Sequence, residues 1–321
     1  MRLASILLAL TLACSTSSPN GGAAAGREAV AERTAPSRID AGRLITHARV
    51  LSADSMEGRR TATPGNERAR RYLAAEMQRI GLAPVGGSHR HPFTFSARGE
   101  EIEGVNFVGM VRGTATPERY IVVTAHYDHL GIGRAVDGDS LYNGADDNAS
   151  GTGGLLAIAE WVRRNPLRHT VLFVAFDAEE QGLRGARAFV AGPPVPRESI
   201  VLNINMDMVG RNDRNELYAA GTHHYPFLRP YVERVAARAP ITLRIGHDTP
   251  VPAPIDDWTT QSDHGAFHAA RIPFLYFGVE DHPDYHRPSD TFDRLQPYFY
   301  WKAIDTVLDF LIEVDEIGAR G

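Results

Sequence analysis

The chain of 321 residues is poor in three things. It has a single cysteine, Cys14, so no disulfide can form within it. It has a single lysine, Lys302, among 34 basic residues; the rest are arginine, a bias we read as genome composition. It has no surplus of positive charge: the formal net charge is −5, which excludes the basic footprint of a nucleic-acid binder. No His-Glu-x-x-His occurs, so the single-zinc metalloprotease arrangement is not indicated. What remains is an ordinary globular composition, 43% hydrophobic, enough for a full core.

The first residues read as a targeting segment. Met1-Arg2 supplies a positive start, and Leu3 to Ala13 is an apolar run too short to span a bilayer. Cys14 falls where that run ends, as in a lipoprotein signal whose cysteine is lipidated, although Thr11 stands where Leu is usual. Residues 15–37 are small, polar and turn-rich, the pattern of a flexible tether. Three segments are therefore expected: a signal at 1–14, a tether at 15–37 and one domain at 38–321. The expected location is exported, in the cell envelope if Cys14 carries lipid, with the membrane touched only through that anchor.

From residue 38 strands and helices alternate. Pro64 to Ile80 predicts a helix stopped by Gly81. Val105–Val111, Tyr120–Ala125, Thr170–Phe176, Ile200–Met206, Glu216–Ala220 and Ile272–Gly278 read as strands. Ser150–Arg164, Leu183–Val190, Pro226–Arg238 and Leu295–Glu316 read as helices. The near-pure apolar run from Thr170 to Phe176 suits a strand buried on both faces. The expected class is α/β, three layers (α/β/α) around a mostly parallel, mixed central sheet.

Chemistry-bearing residues sit at the ends of these strands, where open α/β sheets bind ligands. His126 and Asp128 follow the Tyr120 strand. Glu179 and Glu180 follow the Thr170 strand, Asp207 ends the Ile200 strand, and His286 lies a short loop beyond the Ile272 strand. Asp146 opens the Ser150 helix within Asn143-Gly144-Ala145-Asp146-Asp147-Asn148-Ala149-Ser150-Gly151. One Asp of that turn can put an oxygen on each of two metals while the other, with Asn148 and Ser150, caps the helix. Of Glu179 and Glu180, one can ligate metal while the other faces an attacking water as general base. Asp128 can accept the second ring N–H of His126. Asp207 is a charge between apolar neighbours and needs a partner, whether a metal or an Arg. Each motif alone also fits a solvated loop or a helix cap; their convergence on one sheet edge carries the argument.

Together these segments resemble the co-catalytic di-zinc aminopeptidase family, which includes bacterial leucyl aminopeptidase and aminopeptidase Y, with glutamate carboxypeptidase, glutaminyl cyclase and the transferrin receptor as relatives. The resemblance implies a zinc-exopeptidase fold and two Zn2+ per chain, with Co2+ or Mn2+ able to substitute. It implies that His126 and Asp207 hold one zinc, Glu180 and His286 the other, and that Asp146 bridges them. It further implies Glu179 as general base, Asp128 as the residue that orients His126, and a cis Asp146–Asp147 peptide bond. A water shared by two ions about 3.5–4 Å apart would attack the scissile carbonyl of a peptide substrate. Ser262-Asp263-His264 matches a further family segment behind the site or facing substrate. His129 and His264 would be surplus ligands, and His223-His224 rim residues. The expected activity is removal of N-terminal residues. The alternatives are a carboxypeptidase, which needs an Arg such as Arg211 or Arg287 to grip a C-terminal carboxylate, a glutaminyl cyclase using one zinc, and a non-catalytic binding protein that has lost ligands. His91 to Tyr120 is too short for the inserted protease-associated domain of some relatives. Trp258, Phe267, Tyr276 and Tyr285 are the aromatic candidates for a substrate pocket, and oligomeric state is left open.

Overall fold

The structure, a computed structural model, describes residues 37–97, 99–249 and 256–316. The expected leader and nearly all of the tether, residues 1–36, lie outside the described residues. In chain order the main elements are α1 (Ala41–Leu51), α2 (Pro64–Ile80), β1 (Ala83–Pro84), β2 (Arg90–Ala97), β3 (Glu100–Val111), β4 (Thr116–His126), β5 (Gly131–Val136), β6 (Asp139–Tyr142), α3 (Gly151–Arg164), β7 (His169–Phe176), α4 (Arg184–Ala191), β8 (Ile200–Met206), β9 (Glu216–Ala220), α5 (Arg229–Ala236), β10 (Thr242–Ile245), α6 (His264–Ala269), β11 (Phe274–Gly278) and α7 (Pro297–Val314).

The central sheet runs β1-β3-β7-β4-β8-β11-β9-β10, with β2 also paired to β3. Strands β7, β4, β8 and β11 are mutually parallel; β3 and β9 run antiparallel to their neighbours in that core, so the sheet is mixed as expected. Both faces are covered, and the two-residue period of a strand divides the apolar side chains between them. Ile121, Val123, Ala125, Val171, Phe173 and Ala175 point into the larger core beneath α1, α2, α3, α5 and α7. Val122, Leu172, Val174 and Phe176 point the other way, onto Ala186 and Phe189 of α4 and Ala266 and Phe267 of α6.

Local signals explain where helices begin and end. Thr63 caps α2 by accepting the Asn66 N–H at 3.3 Å, Pro64 occupies the first turn, and Gly81 closes it at φ 79°. Ala69, Leu73, Met77 and Ile80 form its buried stripe. The expected helix over 226–238 is broken: a 3-10 turn at Pro226–Leu228 precedes α5, which restarts with Pro230 in its first turn. Helix α1, the short strand β10 and the β5–β6 hairpin were not expected. The strand and the hairpin are short and are held by what they pack against, whereas α1 has its own amphipathic stripe, Leu44, His47, Ala48 and Leu51, and is capped by Asp40, which accepts the Arg43 N–H at 3.1 Å. Among the described residues no helix is long and apolar enough to cross a membrane.

Candidate metal centre

The parallel order of β7, β4, β8 and β11 sets four loops side by side at one sheet edge. His126 ends β4 and is buried; its Nε2 lies 3.3 Å from Asp207 Oδ1, just beyond β8, and 3.3 Å from Asp147 Oδ1. On the other side of Asp147, His286 Nε2 approaches Asp147 Oδ2 at 3.1 Å and Glu180 Oε2 at 3.3 Å. Asp147 therefore offers one oxygen to each of two groups, His126/Asp207 and Glu180/His286.

The shared carboxylate is Asp147, not Asp146, which corrects the sequence expectation. Asp146 is fully buried and turned away: its Oδ1 accepts the Gly210 N–H at 2.6 Å and its Oδ2 sits 3.1 Å from His282 Nε2. The local backbone of this turn directs the second of the two carboxylates at the cluster. Residues Ala145–Ser150 form a wide turn before α3, entered through Gly144 at φ 58°. A Cβ on Gly144 would stand 2.2 Å from the Asp147 carbonyl oxygen and 2.4 Å from the His129 ring, so only glycine fits. Asp290 grips the turn from outside by accepting the N–H groups of Asp146 and Asp147 at 3.0 Å. Asn148, rather than an aspartate, caps the helix, accepting the Gly151 N–H at 2.8 Å. The cis peptide bond is Asp147–Asn148, one position later than expected.

His129 lies closer in than its reading as a surplus residue implied. It is completely buried, with Nδ1 2.7 Å from Glu180 Oε1 and 3.7 Å from Asp147 Oδ2. Neither His129 nitrogen nor Glu180 Oε1 has a partner in hydrogen-bond geometry. Donor atoms of His126, Asp147 and Asp207 gather within 4.8 Å of one another, as do those of His129, Asp147 and Glu180. Close approach without hydrogen-bond geometry is what ligands aimed at a common cation show, and imidazole with carboxylate suits zinc. The residues present thus fit a pair of divalent ions centred on Asp147.

Asp128 stands 3.7 Å from His126 Nδ1, beyond a hydrogen bond; that nitrogen is 3.2 Å from the Asp128 carbonyl oxygen instead. Its carboxylate accepts the Glu179 N–H at 3.0 Å, so it fixes the loop that carries Glu179 and Glu180. Burial pushes the Asp128 carboxyl up to about 6 against the pull of His126. Glu179 is held well above the usual range, first by burial and then by Asp263, Glu180 and Asp207, with His126 opposing. Burial pulls His286 down, but its contacts with Asp147 and Glu180 outweigh that and raise it to about 10.

The cleft above these groups is lined by Asp147, Glu179, Glu180, Asp207, Asp281 and His286, with Trp258, Tyr276 and Tyr285 among its walls. Tyr285 stacks on His286 at 3.9 Å between ring centres. Phe267, a fourth aromatic candidate, packs in the core against Phe176 and Phe189. Asp263 is buried behind the site with both carboxylate oxygens unpaired, and His264 contacts the Trp258 carbonyl at 2.8 Å. His224 bonds Thr259 and packs against the His268 ring at a tilt, 4.7 Å between ring centres, away from the cleft. Arg211 is tied to Asp284 at 2.5 Å, and neither it nor Arg287 lines the cleft. The residues alone leave open which of Asp146 and Asp147 is shared, the resemblance implies Asp146, and neither points to Asp281; no local signal separates Asp147 or Asp281 from an ordinary acidic turn.

Residues 106–311 match peptidase family M28, and the chain belongs to that family. Similar curated proteins include a probable zinc metalloprotease of Leptosphaeria maculans, 34% identical over 47% of this chain and 36% of its own length. Aminopeptidase YwaD of Bacillus subtilis is 31% identical over 58% of this chain and 39% of its own. The chain spans less than half the length of these relatives. Among solved structures, a Bacillus subtilis zinc aminopeptidase superposes with a TM-score of 0.69 at 17% identity, covering 86% of this chain and 95% of the other. A Bacteroides thetaiotaomicron glutaminyl cyclase does so with 0.72 at 20%, covering 87% and 99%. At these identities the superpositions establish the zinc-exopeptidase fold.

Proposed function

We propose that this protein is a zinc-dependent aminopeptidase. The observation that carries the reading is the charge of the cleft. Five carboxylates line it, Asp147, Glu179, Glu180, Asp207 and Asp281, and no Arg or Lys does so among the described residues. With Asp147, Glu180 and Asp207 engaged by two zinc ions, Glu179 and Asp281 are the carboxylates left to face a peptide's α-amino group, and the cleft offers no side-chain cation to grip a C-terminal carboxylate. Arg211 is already engaged by Asp284, which removes the main support for a carboxypeptidase.

His126, Asp207 and one oxygen of Asp147 would hold one zinc, and Glu180, His286 and the other oxygen of Asp147 the second, with the buried His129 close to that second group, its Nδ1 2.7 Å from Glu180 Oε1. Two zinc ions would supply a polarised carbonyl and a water acidified by both. Glu179, three residues past the end of β7 and lining the same cleft as Asp147, takes the proton of the attacking water. The water oxygen bonds to the scissile carbonyl carbon, the C–N bond breaks, and Glu179 delivers the proton to the departing amine. The full set of five ligands favours two ions over the single ion of a cyclase.

Export, and lipidation at Cys14, complete the reading; their support is the apolar run from Leu3 to Ala13 and the cysteine that ends it. Loss of fatty-acid labelling in Cys14→Ser would support the anchor, and an unlabelled wild-type chain would exclude it.

The activity is tested by digesting mixed peptides offered with free and acetylated N-termini, with and without a chelator. Stepwise shortening of free N-termini alone, abolished by chelation, is expected. Trimming of acetylated peptides from the other end would reject the reading for a carboxypeptidase, and loss of ammonia from N-terminal Gln would reject it for a cyclase.

A further inference from the structure

Directly beneath the centre lies a cation that the chemistry above does not use. Arg59 is fully buried, and among the described residues its guanidinium donates to backbone carbonyls and makes no ion pair at contact distance. Its donors go to backbone carbonyls of three separate segments. Nε donates to Tyr127 O at 2.8 Å, Nη1 to Leu51 O and Asn143 O at 2.6 Å each, and Nη2 to Gly144 O at 2.9 Å. Tyr127 immediately follows His126. Asn143 and Gly144 enter the turn that presents Asp147. Leu51 is the last residue of α1. The guanidinium is a planar, rigid fork, so its bonds fix the relative positions of the groups it bridges.

The backbone that delivers Arg59 is unusual in itself. Glu57, Gly58 and Arg59 have successive φ values of 49°, 63° and 52°, and Ala62 follows at 63°. Left-handed conformations at three non-glycine residues are costly and persist where surrounding structure imposes them. At Gly58 a Cβ would come within 2.3 Å of the Tyr142 carbonyl oxygen and 2.8 Å of Gly131, so this segment is pressed against the base of the β5–β6 hairpin. Asn66 Nδ2 holds the Arg59 carbonyl at 3.0 Å, and Asn143 Nδ2 ties the same loop to Ser52 O and Asp54 Oδ1. Burial lowers Arg59 to about 10 while Asp147, Asp290, Asp128 and Glu180 hold it up, so it stays charged beneath the carboxylates.

We propose that Arg59 is a positioning residue: it sets the separation of the His126 loop from the Asp147 turn, and thereby the distance between ligands that must share one metal ion. A carbonyl-bonded guanidinium does this without taking up the carboxylate oxygens of Asp147, Glu180 or Asp207. The inference rests on the metal-centre reading proposed above, and its test reads metal binding separately from peptide hydrolysis.

Zinc affinity of the full chain is measured by competition with a chromophoric chelator, alongside visible absorption of the cobalt-loaded protein, for wild type, Arg59→Lys and Arg59→Met. Near-UV circular dichroism reports folding. Arg59→Met is expected to fold, to bind at least one ion tenfold or more weakly and to show an altered cobalt spectrum. Arg59→Lys, which keeps the charge but loses the fork, is expected to fall between. In peptide assays the loss should appear in kcat, with KM within about threefold. Loss of thermal stability with wild-type affinity and spectrum would overturn the proposal, as would an Arg59→Lys chain that does not fold, since either assigns Arg59 to the general core. A wild-type chain that binds no zinc would instead overturn the metal-centre reading.

Discussion

Asp177 and the pair Glu179-Glu180 leave the same end of β7 and differ in almost everything around them. Asp177 is fully buried and saturated by protein donors. Its Oδ1 accepts from Thr61 Oγ1 at 2.9 Å, Asn66 Nδ2 at 3.1 Å and the Ala178 N–H at 3.0 Å. Its Oδ2 accepts from Arg70 at 2.9 Å, Tyr127 Oη at 2.7 Å and the Val105 N–H at 3.0 Å. Two residues on, Glu179 and Glu180 face other carboxylates and histidines, with no Arg or Lys beside them in the cleft. A buried carboxylate that the protein has already satisfied is part of the frame; one left among like charges is waiting for a cation. Asp146 and Asp147 repeat the contrast between adjacent positions. Asp146 bonds Gly210 and His282 and so joins its own turn to the loops carrying Asp207 and His286, while Asp147 faces the cluster.

Four experiments would break or sharpen this contrast. Glu179→Gln should cost roughly 10^2–10^4-fold in kcat, the range of general acid–base catalysis, with zinc content unchanged; activity within a factor of ten of wild type would remove Glu179 from the proton transfer. Asp177→Asn should do the reverse, destabilising the fold by about 3–5 kcal/mol in denaturant unfolding because Arg70 loses its buried counter-charge, while zinc affinity of the folded protein is kept. Next, Asp147→Asn and Asp146→Asn should separate by readout. Asp147→Asn should lose metal at least tenfold in affinity, whereas Asp146→Asn should keep both ions and lose about 1–3 kcal/mol of stability. The opposite pattern would return the shared carboxylate to Asp146.

The smallest effect is expected far from the cleft. His47 is buried against Tyr72 Oη at 2.7 Å, and burial, the largest influence, lowers it to about 4. A depressed His favours the folded state when neutral, so its contribution is present above about 6.5 and is lost as pH falls toward 4. His47→Gln should flatten the loss of thermal stability across that window without altering zinc binding. An unchanged pH profile would show that His47 does not titrate there.

Much of the site was legible because strand ends are legible. Apolar runs bounded by polar residues mark β4, β7, β8 and β11, and parallel strands of one sheet place their carboxyl ends together. That logic alone gathers His126, Glu179, Glu180, Asp207 and His286. It stops at residues whose roles depend on a single turn of backbone. Nothing in Asp146-Asp147 as a pair distinguishes bridge from tie, and His129, three residues beyond His126, reads as surplus until β4 ends and the chain folds it under Glu180. Arg59 is more remote still: 68 residues separate it from Tyr127 and 84 from Asn143, and its partners are carbonyl groups that every sequence has.

The sequence by itself determined the class of the fold, the sheet edge where chemistry collects and the residue types gathered there, because hydrophobic periodicity and residue chemistry are local properties. The tertiary structure alone decided which of two neighbouring carboxylates is shared, which histidine backs Glu180 and which buried cation spaces the loops. Those choices rest on backbone geometry and on hydrogen bonds between segments distant in the chain, and neither is written in any one stretch of it.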